Sequence, residues 1–259
     1  MSEPIKFEGK DQIARVTFNR PEQHNAISYD GWLKLIEIAN KIEEDSSIRS
    51  AVFLGEGEKS FSAGADIKDF ETHRKDSQTA KIYSKAFDGA LDAIEALSVP
   101  TISMIRGICV GGGCELSMAT DIRIASNKSR FGIPVAKLGI LVGYREMKRL
   151  VNLVGPGNAS YILLSGRLID STEAFRMGLI TQLVDDPALE DTVLNLANEI
   201  TPLAPLSQKR HKIILQNVIS NQSLDGLDDE LPFTNFDSTD FQEGKDAFIS
   251  RRPPNFKGI

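Results

Sequence analysis

Cysteine is almost missing from this chain: Cys109 and Cys114 are the only two among 259 residues, and no histidine or further cysteine lies beside them. That argues against a disulfide framework and leaves no ligand set for zinc, so two buried, reduced thiols are expected and no metal. Also lacking is any apolar run of the roughly 18 residues that a membrane-spanning helix needs. The opening MSEPIKFEGKDQ has neither the positive nor the apolar region of a secretion signal, which points to the cytoplasm. Positive charge is in deficit, with a net charge of −6 and a pI near 5.2, and a broad nucleic-acid-binding surface needs clustered excess cations. What the chain does have, 41% hydrophobic and 25% charged residues, suits a globular protein with one large domain and an appendage.

Ile5–Phe7 and Ile13–Phe18 flank Gly9-Lys10-Asp11, a hairpin pattern. Trp32, Leu35, Ile36 and Ala39 follow at helical spacing, and Ala51–Leu54 is short and wholly apolar, as a buried strand would be. From Thr79 to Leu97, Ile82, Phe87, Ala90, Leu91, Ile94 and Leu97 recur at helical intervals. Val99–Ile105 and Ile122–Ala125 read as strands, and Tyr144–Val154 and Asn158–Leu164 as helices parted by Gly155-Pro156-Gly157. Asp170-Ser171-Thr172-Glu173 opens a helix that Met177-Gly178 closes, before a strand-like Leu179–Val184 and a helix over Pro187–Ile200. Strands and helices alternate, so the class is α/β. Beyond Thr201 the strand pattern fades. Leu203–Ser220 and Asp237–Arg251 are helical, which divides the chain into a core, residues 1–200, and a helical subdomain, residues 201–259.

Two stretches carry chemistry. Arg106–Asp121, RGICVGGGCELSMATD, places Gly111, Gly112 and Gly113 after an apolar strand and before Glu115. Glycines there permit close backbone approach, and the first N–H groups of a helix have no partner within it. The stretch thus offers donors for a developing negative charge and, in Glu115, a base that creates it. The second stretch, Phe61–Lys68, reads FSAGADIK.

Taken with NRPEQHNA at Asn19–Ala26 and the segment Gly166–Leu179, these motifs resemble, in one colinear order over roughly residues 5–200, the crotonase or enoyl-CoA hydratase/isomerase superfamily. The resemblance implies a crotonase-like spiral of ββα units with a C-terminal helical subdomain serving as lid or assembly surface, and a homotrimer or dimer of trimers. It implies an acyl-CoA thioester as substrate, no separate cofactor, and an enolate held by two backbone N–H groups. Motif to motif, those donors fall on Ala65 and Gly112. The Ala63 carbonyl would meet the adenine of CoA, with Gln23, His24, Asp66, Ile67 and Lys68 along its path. Glu22 stands where the family often has a basic residue.

Glu115 matches one of the two glutamates of the family's hydratases. The other falls on Val135, after Phe131-Gly132-Ile133-Pro134, so the second carboxylate is missing from its place. Val135 should desolvate Glu115 and raise its pKa, whereas the helix N-terminus should lower it. Tyr144 and Glu146, at the start of the next helix, are substitute candidates. Tyr144 is expected to enter the acyl pocket, and Glu146, like Arg145, to be solvated. The reading is an enolate-stabilising enzyme, a hydratase or isomerase. Its alternatives are a decarboxylase of the same superfamily and a non-catalytic acyl-CoA binder. RNA binding is disfavoured, because Lys34, Lys41, Lys81 and Lys85 make no continuous basic face.

Overall fold

The computed structural model describes residues 3–220 and 230–259. It opens with strands β1 (Ile5–Lys10) and β2 (Ile13–Phe18) and helix α1 (Tyr29–Glu44), followed by β3 (Ser50–Gly55), β4 (Ser60–Ser62) and the short α2 (Phe70–His73). Helix α3 (Ser77–Glu95) then leads to β5 (Thr101–Ile105), β6 (Ile108–Val110) and α4 (Gly112–Met118). After β7 (Ile122–Ser126) and β8 (Arg130–Gly132) comes α5 (Tyr144–Ser165), then β9 (Ile169–Asp170), α6 (Ser171–Met177), β10 (Gln182–Val184) and α7 (Leu189–Ile200). Helices α8 (Pro205–Ser220) and α9 (Thr239–Ile249) complete it.

The strands form two sheets, ordered β1-β2-β3-β5-β7-β10 and β4-β6-β8-β9. Three times the chain leaves a strand of the large sheet, enters a short strand of the small one, and turns into helix or 3₁₀ structure: β3 to β4, β5 to β6, β7 to β8. Parallel pairing of Ala51 with Thr101 and Ile102 with Ile122 stacks these units, as does that of Ser60 and Arg130 with Ile108. This is the spiral of ββα units that the resemblance implied.

Central strands buried on both faces explain the unbroken apolar runs. Ala51 and Phe53 face the main core with Trp32, Leu35, Phe61 and Leu91, while Val52 and Leu54 face Leu189, Val193 and Ala197 of α7. Several boundaries differ from the sequence reading. The hairpin turns at Asp11 and Gln12, both at positive φ (52° and 65°), and Gly9 and Lys10 stay in β1; two left-handed central residues match the twist of the paired strands. In α3 it is Tyr83, not Ile82, that joins the core, where its hydroxyl accepts a 2.7 Å hydrogen bond from Trp32 Nε1. Gly155, at φ 73° and ψ 164°, breaks α5 into the two expected helical pieces. Cys109 and Cys114 are free and buried. Of the acidic stretch Asp225–Glu230, which could be read as a lid, an interface or plain solvated surface, all but Glu230 lies outside the described residues. The basic ending is tied back, Arg252 donating to both oxygens of Glu243 at 2.6 and 2.7 Å.

Candidate active site

The turn from β6 into α4 and the loop after β4 meet edge to edge. Gly64 has φ 89°, and a Cβ on it would lie 2.5 Å from the Gly112 nitrogen. A Cβ on Gly112 would lie 3.3 Å from the Ala65 nitrogen. Only residues with little or no side chain let the two backbones approach so closely. Neither the Ala65 nor the Gly112 N–H donates to a protein acceptor among the described residues. Both residues line one cavity of about 310 Å³, with Ala63, Ile67, Glu115, Val135 and Glu146 also on its wall.

Glu115 sits in the first turn of α4 and is 6% exposed. Burial, and after it the charge of Glu146, pushes its carboxyl from an ordinary 4.5 up to about 8. Desolvation thus outweighs the helix N-terminus.

Glu146 corrects the expectation for α5. It is 3% exposed where a solvated side chain was expected, and Tyr144, expected in the pocket, is 97% exposed and absent from the cavity wall. Helical geometry explains the exchange: residues two apart point roughly 200° apart, so only one of them faces inward. The Glu146 carboxyl is also raised, by burial first and then by the charge and hydrogen bond of Asp88 on α3. Its Oε1 has no hydrogen bond among the described residues and lies 3.7 Å from Arg149 Nη1. Arg149 itself is held by Asp92 at 2.7 Å and Glu95 at 2.6 Å. Arg145 pairs with Asp92 and stays at the surface.

Val135 occupies a 3₁₀ turn and lines the cavity, so the wall that would have carried the second hydratase carboxylate is apolar. Gln23, His24, Asp66 and Lys68, expected along CoA, lie apart from the cavity. His24 is exposed, at φ 51°, with Nδ1 2.7 Å from Ser60 Oγ. Gln23 accepts from Arg20, Asp66 pairs with Arg20 at 2.7 Å, and Lys68 is exposed. Of that set only Ala63, Ala65, Ile67 and Gly112 line the cavity. Sequence reasoning missed Arg74, Ser84 and Asp88 on the same wall. For the last two a sign was present: they stand four apart on the helix that carries Phe87, and Ser84 Oγ donates to Asp88 Oδ2 at 2.9 Å.

A spiral of ββα units, two free N–H groups at a strand-to-helix turn and buried carboxyls beside them define an acyl-thioester enzyme of the crotonase type. Comparison with known proteins agrees, because the enoyl-CoA hydratase/isomerase family model matches residues 8–259. The short-chain-enoyl-CoA hydratase of Clostridium acetobutylicum is 34% identical, covering 96% of this chain and 95% of its own. The crotonyl-CoA hydratase of Syntrophomonas wolfei is 31% identical, covering 98% of each. Among solved structures, an enoyl-CoA hydratase/carnithine racemase from Magnetospirillum magneticum matches with TM-score 0.96 and 34% identity, over 100% of this chain and 97% of that one. The chain belongs to the enoyl-CoA hydratase/isomerase family.

Proposed function

We propose that the protein adds water across the double bond of a 2-enoyl-CoA thioester, using Glu115 and Glu146 as its pair of carboxyls. The observation that carries the reading is that both side chains are buried in the wall of one cavity that also holds the free N–H groups of Ala65 and Gly112. The names of the relatives, both hydratases, support it.

The thioester oxygen accepts from the two N–H groups, which then stabilise the enolate as its charge develops. Burial raises both carboxyls, and the charge of Glu146 raises Glu115 further, to about 8, so near neutrality Glu115 keeps its proton. The ionised member takes a proton from water as the oxygen bonds to the β-carbon, and the protonated member gives its proton to the α-carbon. Glu146 thereby supplies from α5 what Val135 cannot supply from the 3₁₀ turn.

In the same reading, CoA passes Ala63, Asp66, Ile67 and Lys68 on its way out, with Gln23 and His24 bordering it. It is carried by the substrate, no other cofactor is required, and the enzyme works in the cytoplasm. Residues 201–259 form the assembly side of a trimer or a dimer of trimers. Supporting this, α8 has no buried residue, and Leu215, Phe236, Phe248 and Ile249 are 57%, 56%, 87% and 71% exposed. The test is hydration of crotonyl-CoA followed by mass spectrometry. The unaltered protein should add one water, and Glu115→Gln should lose about 10²- to 10⁴-fold in kcat. A thioester bound but never hydrated would contradict the proposal.

A further inference from the structure

Arg74 lines the same cavity as Glu115 and Glu146. Its guanidinium carbon lies 4.7 Å from the ring centre of Phe70 and 5.0 Å from that of Tyr83. Tyr83 is itself anchored by Trp32. A cation–π contact holds the guanidinium without giving its N–H donors a hydrogen-bond acceptor. Among the described residues none of those donors makes a hydrogen bond, and Arg74 has no carboxylate partner. Arg15, Arg106, Arg149 and Arg252, by contrast, are each paired with a carboxylate. A half-buried cation without a counter-ion, fixed on an aromatic shelf in a cavity, lacks the anion that would offset its desolvation.

We infer that Arg74 receives a second carboxylate, on the acyl group, so that the substrate is the CoA monothioester of a dicarboxylic acid. This rests on the function proposed above and narrows it. Arg74 shares a wall with Glu115, whose carboxyl feels its charge; of the expected CoA path, Ala63 and Ile67 also line that cavity, while His24 and Lys68 do not. Among the described residues, none of the acidic groups facing the cavity forms an ion pair with Arg74. Glu115 and Glu146 both hold their protons more tightly than ordinary carboxyls, and Asp88 is engaged by Ser84 and Glu146. The remaining wall, with Phe87, Leu138, Ile140 and Val142, suits the methylenes between the two carboxyl carbons. The guanidinium fork matches a carboxylate in a way that a neutral alkyl end cannot reproduce.

Calorimetric titration with saturated, non-reacting thioesters separates binding from turnover. Succinyl-, glutaryl- and adipyl-CoA are compared with butyryl-, pentanoyl- and hexanoyl-CoA of the same chain lengths. At least one dicarboxylic thioester should bind about 10- to 100-fold more tightly than its neutral counterpart. Arg74→Gln should abolish that preference, and Arg74→Lys should retain part of it, which also guards against simple loss of the aromatic stacking. Equal affinities within every pair would overturn the inference and leave the thioester reading standing. So would an Arg74→Gln variant that weakens both members of each pair alike, since its anion would then be a CoA phosphate. Failure of every thioester to bind would overturn both.

Discussion

The cavity has two working corners, built in opposite ways. At the donor corner everything is backbone. Ala65 and Gly112 present free N–H groups there, and their neighbours must be small, because a methyl on Gly64 would fall 2.5 Å from the Gly112 nitrogen. At the carboxyl corner everything is side chain: Glu115 from α4, Glu146 from α5 and Asp88 from α3, brought together by packing. The first corner is rigid in position and indifferent to pH. The second is set by burial and mutual repulsion, and its state moves with pH.

The sharpest way to break the donor corner is Gly64→Ala. With φ at 89° and the close approach noted above, an added methyl must push the two loops apart. A fall of about 10²- to 10³-fold in kcat is expected, with circular dichroism still reporting a folded chain. At the carboxyl corner, the effect to seek is on stability. Glu115 has a folded-state pKa of about 8 against an ordinary 4.5, so between those values the folded chain binds more protons than the unfolded one. Stability therefore falls as pH rises across that window, by up to about 1.4 kcal/mol per unit. Glu115→Gln removes the term. Its Tm should overtake that of the unaltered protein as melts are moved from pH 5 to pH 8, even as activity is lost. The smallest effect belongs to Tyr144→Ala. Fully outside the cavity, it should change kcat/KM for crotonyl-CoA by less than about twofold, well within the range of surface substitutions.

The contrast also explains what could be read from the sequence. Ala65 and Gly112 were placed by the family resemblance, and Glu115 by its position just after the glycines; close backbone approach demands small residues in consecutive positions, and a consecutive pattern survives in one dimension. Strands β3 and β5 of the large sheet were visible for a similar reason, burial on both faces giving short, largely apolar runs. The small sheet was not, since β4, β6 and β8 are three residues each, too short to show a period. Glu146 was noticed but assigned to solvent, and Tyr144 to the pocket, because which side of α5 turns inward depends on its packing against α4 and α3. Arg74 left no trace in the pattern at all. Its place over Phe70 and Tyr83 joins α3 to the residue that caps α2, and nothing local marks that meeting.

The central claim, that Glu146 stands in for the carboxylate missing at Val135, is tested most directly by the pH profile of kcat/KM for crotonyl-CoA hydration, measured for the unaltered protein and Glu146→Gln. A descending limb is expected near pH 8 in the unaltered enzyme, where Glu115 gives up its proton. In Glu146→Gln the maximum should drop about 10- to 100-fold, and the limb should move to lower pH, because Glu115 loses the neighbouring charge that helps hold its proton. A variant that keeps both the rate and the position of the limb would contradict the claim.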